Sequence, residues 1–244
     1  MLNGLAIPLK RCPNNSKGTV MTNLSVDHTA VLNKTTIYAK SVFDPADYPY
    51  KFIKPDTGAK LGKQVRKGNW KGMRFYTLTL EERATCDPDC EHWTDCYGNN
   101  MPFAHRFKAT SSLTSKMEPN LDELDKKHPT GYVIRLHILG DFFSVVYVKW
   151  WGRQLAKRPA LHIYGYSRHH PFKPIGRAIL ALREKYPDRF VVRFSNLPSD
   201  NMSANSEHVS DDGIICPEQT GKVDSCGSCC LCWASKKPII FLDH

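Results

Sequence analysis

No stretch of this 244-residue chain is apolar for long enough to cross a bilayer. Its first residues, MLNGLAIPLKRCPNNSKG, lack the basic start and long apolar run of a secretory leader, so a cytoplasmic protein is expected. No internal repeat or low-complexity tract is visible. Carboxylates suited to two-metal chemistry are also few. Between residues 73 and 200, Glu81-Glu82 aside, Asp141 is the acidic residue at a predicted strand end. A metal-dependent nuclease or hydrolase is therefore the least supported enzyme class. Acidic residues are scarcest at the start: residues 1–75 hold thirteen Lys and Arg against four Asp, almost the whole of the net +10.

Cysteine is plentiful, with nine in the chain, an odd number that cannot all pair internally. Seven fall into two groups. Cys86, Cys90 and Cys96 follow C-x3-C-x5-C in ATCDPDCEHWTDCYGNN; Cys216, Cys226, Cys229 and Cys232 follow C-x9-C-x2-C-x2-C in CPEQTGKVDSCGSCCLCW. Short turn-rich loops bring sulfurs together at little closure cost, so each group can converge on a soft metal. In a cytosolic chain this favours metal over disulfides. Four thiolates suit zinc or a 4Fe–4S cluster. Three leave a position open, and an open position is where a metal centre does chemistry; for zinc, His92 or His105 can complete the shell. Cys12 has no neighbour and reads as an ordinary thiol. Cys230 sits too close to two ligands to share their centre.

The stretch KFIKPDTGAKLGKQVRKGNWKGMR, residues 51–74, gathers basic side chains with Phe52 and Trp70 among them. Lys60, Lys63, Arg66, Lys67, Trp70 and Lys71 form a candidate nucleic-acid surface, by phosphate neutralisation and base stacking. The alternative is a solubilising basic face. Residues 1–72 thus read as a basic extension packed on a core spanning 73–244.

From residue 73 the pattern alternates strand and helix. Strands are expected at 73–80, 132–139, 160–166 and 189–195, with shorter ones at 213–216 and 238–243. Helices are expected at 103–116 and 121–127, after a Ser144 cap, and from Pro174. Such units call for an α/β fold with a parallel sheet covered by helices, its site beyond the strand C-termini. Asp141 ends one strand, where it binds a cation or donor or else caps the next helix. Arg193, Ser195 and Asn196 near another strand end can meet phosphate or cofactor, as can Tyr164, Tyr166 and Arg168. Arg135 can face the same mouth, and His137 reads as a core histidine. His169-His170 reads as loop, because adjacent side chains rarely converge on one metal.

The runs TLTLEERATCDPDCEHWTDCYGNNMPFAHR, RLHILGDFFSVVYVKWW and CPEQTGKVDSCGSCCLCW resemble the phage and plasmid "gene product 88" family, over roughly residues 60–244. For a phage protein the compartment would be the host cytosol. The order of parts is also similar to the radical S-adenosylmethionine (SAM) enzymes. That resemblance implies a partial (βα) barrel-like parallel sheet with cysteine-cluster loops at the strand C-terminal face. It also implies a cluster on Cys86, Cys90 and Cys96 with Tyr97 as its aromatic neighbour, and SAM held by Gly140 and Asp141. The second group resembles an auxiliary cluster. This chain departs in its longer second cysteine gap and in having Leu139-Gly140-Asp141 where that superfamily has a Gly-Gly-Glu type motif.

The expected function is an iron–sulfur, radical-SAM-like enzyme acting on a nucleotide or nucleic acid. It would hold one or two 4Fe–4S clusters, or zinc, and take electrons from a donor. Asp141 and Arg193 are its candidate catalytic residues, and Tyr97, Gly140, Asp141, Ser195 and Asn196 its candidate cofactor contacts. The alternatives are a non-enzymatic nucleic-acid-binding protein stapled by structural clusters or zinc, and a metal-dependent nuclease.

Overall fold

A computed structural model describes residues 22–56 and 58–242. Cys12, the start of the chain and part of the basic extension lie outside the described residues. The strands are β1 (Val42–Phe43), β2 (Lys54–Pro55), β3 (Arg74–Leu78), β4 (Arg106–Phe107), β5 (Tyr132–Leu136), β6 (Leu161–Ser167), β7 (Phe190–Phe194), β8 (Ala204–Ser206), β9 (Ile214–Ile215) and β10 (Ile239–Phe241). The helices are α1 (Thr29–Leu32), α2 (Ser112–Lys127), α3 (Val145–Lys157), α4 (Pro174–Lys185), α5 (Cys226–Cys229) and α6 (Leu231–Ala234).

The protein is a mixed α/β fold with parallel sheets. The main sheet runs β2-β3-β5-β6-β7, open at both edges, with β2 antiparallel and the rest parallel. A second sheet, β8-β10-β9, is parallel and is joined to the end of β7 by the bridge Ser195–Ala204. β1 and β4 form a small parallel pair.

Where apolar periodicity is strong, the elements follow it. Ser144 Oγ accepts from Tyr147 N at 3.1 Å and opens α3; Pro174 occupies the first turn of α4. The two helices expected over 103–127 are instead one. α2 begins at Ser112 and runs through Pro119, its buried stripe Leu113, Met117, Leu121 and Leu124 outweighing the hydrogen bond that proline removes. Residues 106–107 are strand, because Arg106 turns inward to pair with Glu82 and Phe107 enters the core.

Helices α2, α3 and α4 all cover one face of the sheet, packing on Leu78, Ile134, Leu136, Ile163, Phe190 and Val192. The other face, with Phe75, Val133, Tyr164 and Val191, is covered by irregular chain carrying Leu61, Val65 and Trp70 and by Trp233 of the short α6. Trp70 is therefore not a base-stacking residue. It is buried, stacks on Trp233 at 5.6 Å and donates its indole N–H to Asp188 O. Phe52 is likewise core.

Arg193 fixes this second layer. Fully buried, it donates all five N–H groups to carbonyls, those of Leu231, Cys232, Ser235, Lys237 and Ser203. The expected catalytic arginine is thus a staple that holds the last cysteine segment against β7, with no donor left for a substrate. Arg193→Met strands buried carbonyls, and a loss of at least about 3 kcal/mol in urea unfolding is expected.

His137 lies just past β5 on the helix side, its Nε2 3.0 Å from Tyr147 Oη. Burial holds its imidazole neutral, with the pKa down to about 3. The unfolded chain takes its proton first, near pH 6.5, so the stabilisation is complete above that pH and is lost as pH falls toward 3. Between pH 7.5 and 5, unfolding of His137→Phe is expected to lose about 2 kcal/mol less than that of the natural chain.

Candidate metal centres

The first cysteine loop leaves the end of β3 and is built on two buried arginines. Arg83, at φ 62°, donates to Trp93 O, Thr35 O and Asn99 Oδ1. Arg106 pairs with Glu82 at 2.6 Å and donates to Gly98 O and Ala104 O. Asn99 in turn donates to Thr94 O and Thr22 O. The Glu82-Arg83 pair, visible in the sequence but silent there, thus shapes the loop.

That loop lies over the ends of β5, β6 and β7. Glu91, between Cys90 and Cys96, accepts from Arg168 at 2.7 Å and from Asn196 Nδ2 at 2.6 Å. Asp87 pairs with His169 Nδ1 at 2.9 Å and with Lys173 at 3.2 Å, and Lys173 also reaches Asp89. Gly140, at φ +78°, permits this closeness: a Cβ there would stand 2.4 Å from Thr85 Oγ1. Asp141 is buried and accepts from Phe142 N at 2.6 Å, Arg168 N at 2.8 Å and Ser167 Oγ at 3.2 Å, tying the end of β5 to that of β6. Burial pushes its carboxyl up, against the pull of His169 and these donors. Its charge acts on Cys86 and Cys90.

The other expected contacts divide. Tyr97 is exposed and opens a turn of 3₁₀ helix, Tyr97–Asn100. Ser195 donates its N–H to Ser167 O, and Asn196 Oδ1 accepts from Ser206 N, so both help lay the chain after β7. Of the two histidines weighed as zinc ligands, His92 is half exposed and paired with Asp95, and His105 shares a 2.8 Å hydrogen bond with Tyr48. The residues missed from sequence are Asp87, Glu91 and His169; the signal was their place beside a thiol or just past a strand end.

The second group sits on the face opposite α2, α3 and α4. Cys226 opens α5, Cys232 lies in α6 and Cys216 follows β9. Cys229 and Cys232 both have Cys216 as a neighbour, and Cys226 has Cys232. Cys232 hydrogen-bonds Tyr166, and Arg135 stands beside Cys226 and Cys232. Arg135 Nε and Tyr164 Oη are buried there without partners. Cys230, in the left-handed conformation, turns its thiol to Gly227 O and Lys67 O.

All eight described cysteines are free thiols. Burial pushes Cys90 to about 11 and Cys226 to about 12, and raises Cys86, Cys96, Cys229 and Cys232 as well. Among the described residues, no three His, Cys, Asp or Glu side chains stand close enough to hold an ion as placed. A bound centre would have to draw the thiols in and displace their protons. The donor set nonetheless fits one: grouped free thiols, a cation beside the second group, and polar atoms left unpaired next to both.

The basic stretch is exposed at Lys60, Lys63, Arg66, Lys67 and Lys71. It is stitched to α5 by Cys226 N to Lys60 O at 2.8 Å, Gly227 N to Leu61 O at 2.9 Å and Arg66 N to Gly227 O at 2.8 Å. A Cβ on Gly227 would stand 2.4 Å from Gln64 O, so only glycine allows the contact. Lys60 also pairs with Glu218 at 3.7 Å.

Among the described residues no helix is long and apolar enough to cross a membrane. No curated protein and no solved structure matches the chain. The family model described as Gene product 88 matches residues 59–212, a span that holds the first cysteine group, Gly140, Asp141 and Arg193 and ends before the second group. The chain belongs to the Gene product 88 family.

Proposed function

We propose that this protein is an iron–sulfur protein and a radical-SAM-like enzyme acting on a nucleotide or nucleic acid. The observation that carries the reading is the first cysteine loop. Its three thiols lie past the strand ends, with Asp87 and Glu91 anchored there by His169, Lys173, Arg168 and Asn196. Ligand sites of parallel α/β sheets lie at that edge. The sequential strand order β3-β5-β6-β7, with the crossover helices α2, α3 and α4 on one face, is consistent with part of a (βα) barrel.

Cys86, Cys90 and Cys96 would hold one 4Fe–4S cluster, and Cys216, Cys226, Cys229 and Cys232 a second. When bound, such clusters supply one-electron reducing power drawn from a donor protein. The chain itself supplies position and charge. Asp141, already holding Phe142 N, Arg168 N and Ser167, keeps the edge of β5 in register with the loop; Arg135 offsets negative charge on the second group.

A second reading, a nucleic-acid-binding protein stapled by its metal sites, is favoured by the backbone bonds that lock the basic stretch to α5. The two are separated by anaerobic purification with iron, sulfide and zinc counts, followed by EPR with and without SAM. Iron near eight per chain with a SAM-perturbed spectrum is expected. Zinc without sulfide would sink the enzyme reading and leave the stapled binder. On either reading, replacing Lys63, Arg66, Lys67 and Lys71 by Ala should weaken single-strand binding and lower the salt slope by roughly 0.7 per phosphate contact removed. Trp70→Leu should act on stability instead. An unchanged slope in the lysine and arginine variant would exclude this face.

A further inference from the structure

We propose that His169 is the fourth protein ligand of the first centre, its Nε2 completing the shell begun by Cys86, Cys90 and Cys96. This rests on the reading of that group as an iron–sulfur centre and narrows it.

His169 stands just past the end of β6, under the cysteine loop, and is 7% exposed. Its Nδ1 lies 2.9 Å from Asp87 Oδ2, and Asp87 directly follows Cys86 in the chain. Asp87 is itself fixed by Asp89 N at 2.9 Å and by Lys173 Nζ. A carboxylate on Nδ1–H sets the tautomer and leaves the Nε2 lone pair bare, the arrangement that metal-binding imidazoles adopt. Nε2 is buried and has no hydrogen-bond partner. An unpaired nitrogen at that depth costs free energy unless something binds it.

The surroundings say what that is. Asp141 accepts from Ser167 Oγ and Arg168 N, next to His169, and donates its own N–H to Thr85 Oγ1, next to Cys86, so the bend that carries the imidazole and the start of the cysteine loop meet at one residue. Its three hydrogen bonds commit Asp141 to the strand ends. The neighbouring His170 is occupied, with Nδ1 accepting from Phe172 N at 3.2 Å. The loop reaches His169 through Asp87 and is tied down around it by Lys173 on Asp87 and Asp89 and by Arg168 on Glu91. A centre formed there at rest would have three sulfurs and one neutral nitrogen. An incoming cofactor would displace an imidazole rather than a thiolate.

The test is pulsed EPR of the full chain, reconstituted anaerobically with iron and sulfide, reduced, and labelled with ¹⁵N at histidine. The expected result is a nitrogen hyperfine coupling from one imidazole. It should be lost in His169→Cys with iron content kept, since cysteine supplies a soft ligand in the same place. His92→Ala and His170→Ala should retain it. Iron-loaded natural protein without imidazole coupling, or coupling that survives in His169→Cys or vanishes in either alanine variant, overturns the assignment alone. A chain that takes up no iron overturns the reading beneath it as well.

Discussion

The order of the parallel strands constrains everything else. β3, β5, β6 and β7 are neighbours in the sequence in which they occur, so each crossover moves one step in the same direction. Crossovers are right-handed, and successive steps in one direction put every crossover helix on one face. The other face is left without a crossover helix, and irregular chain from both sides of the sequence, with the short α5 and α6, covers it. That chain carries the second cysteine group and the basic stretch. Residues just past β6 and β7 bind the acidic side chains Asp87 and Glu91 of the chain that follows β3.

Irregular chain is hard to bury because its backbone polar groups need partners. Here the partners are guanidinium groups. Arg193 satisfies five carbonyls of the C-terminal layer, and Arg83 and Arg106 do the same for the cysteine loop. A planar fork with five donors can replace a ladder of strand hydrogen bonds where the chain must bend. The first cysteine loop is thereby held with little regular secondary structure.

Much of the sheet was legible. The apolar runs of β5, β6 and β7 and the 3.6-residue stripes of α3 and α4 report burial directly, and Ser144 marks a helix start. What failed to show was context. Phe103 to Ser111 has helical composition, yet a partner for Glu82 and a place in the core drew Arg106 and Phe107 into a strand. Trp70 sits among lysines in sequence but under Trp233 in space. For the site, spacing showed which cysteines group together, while the groups that set the loop, such as Glu91 and Asp87, looked like ordinary acidic residues. His169 was passed over because it adjoins His170; their difference lies in the bend after β6, which turns one inward and leaves the other beside Phe172.

One short piece of chain touches both cysteine groups. Tyr166 hydrogen-bonds Cys232, and Arg168, two residues on, holds Glu91 of the first cysteine loop at 2.7 Å. A strand paired on both sides cannot slide without breaking its ladders, and β6 is paired to β5 and β7. The register of one strand therefore sets a contact of each thiol group at once.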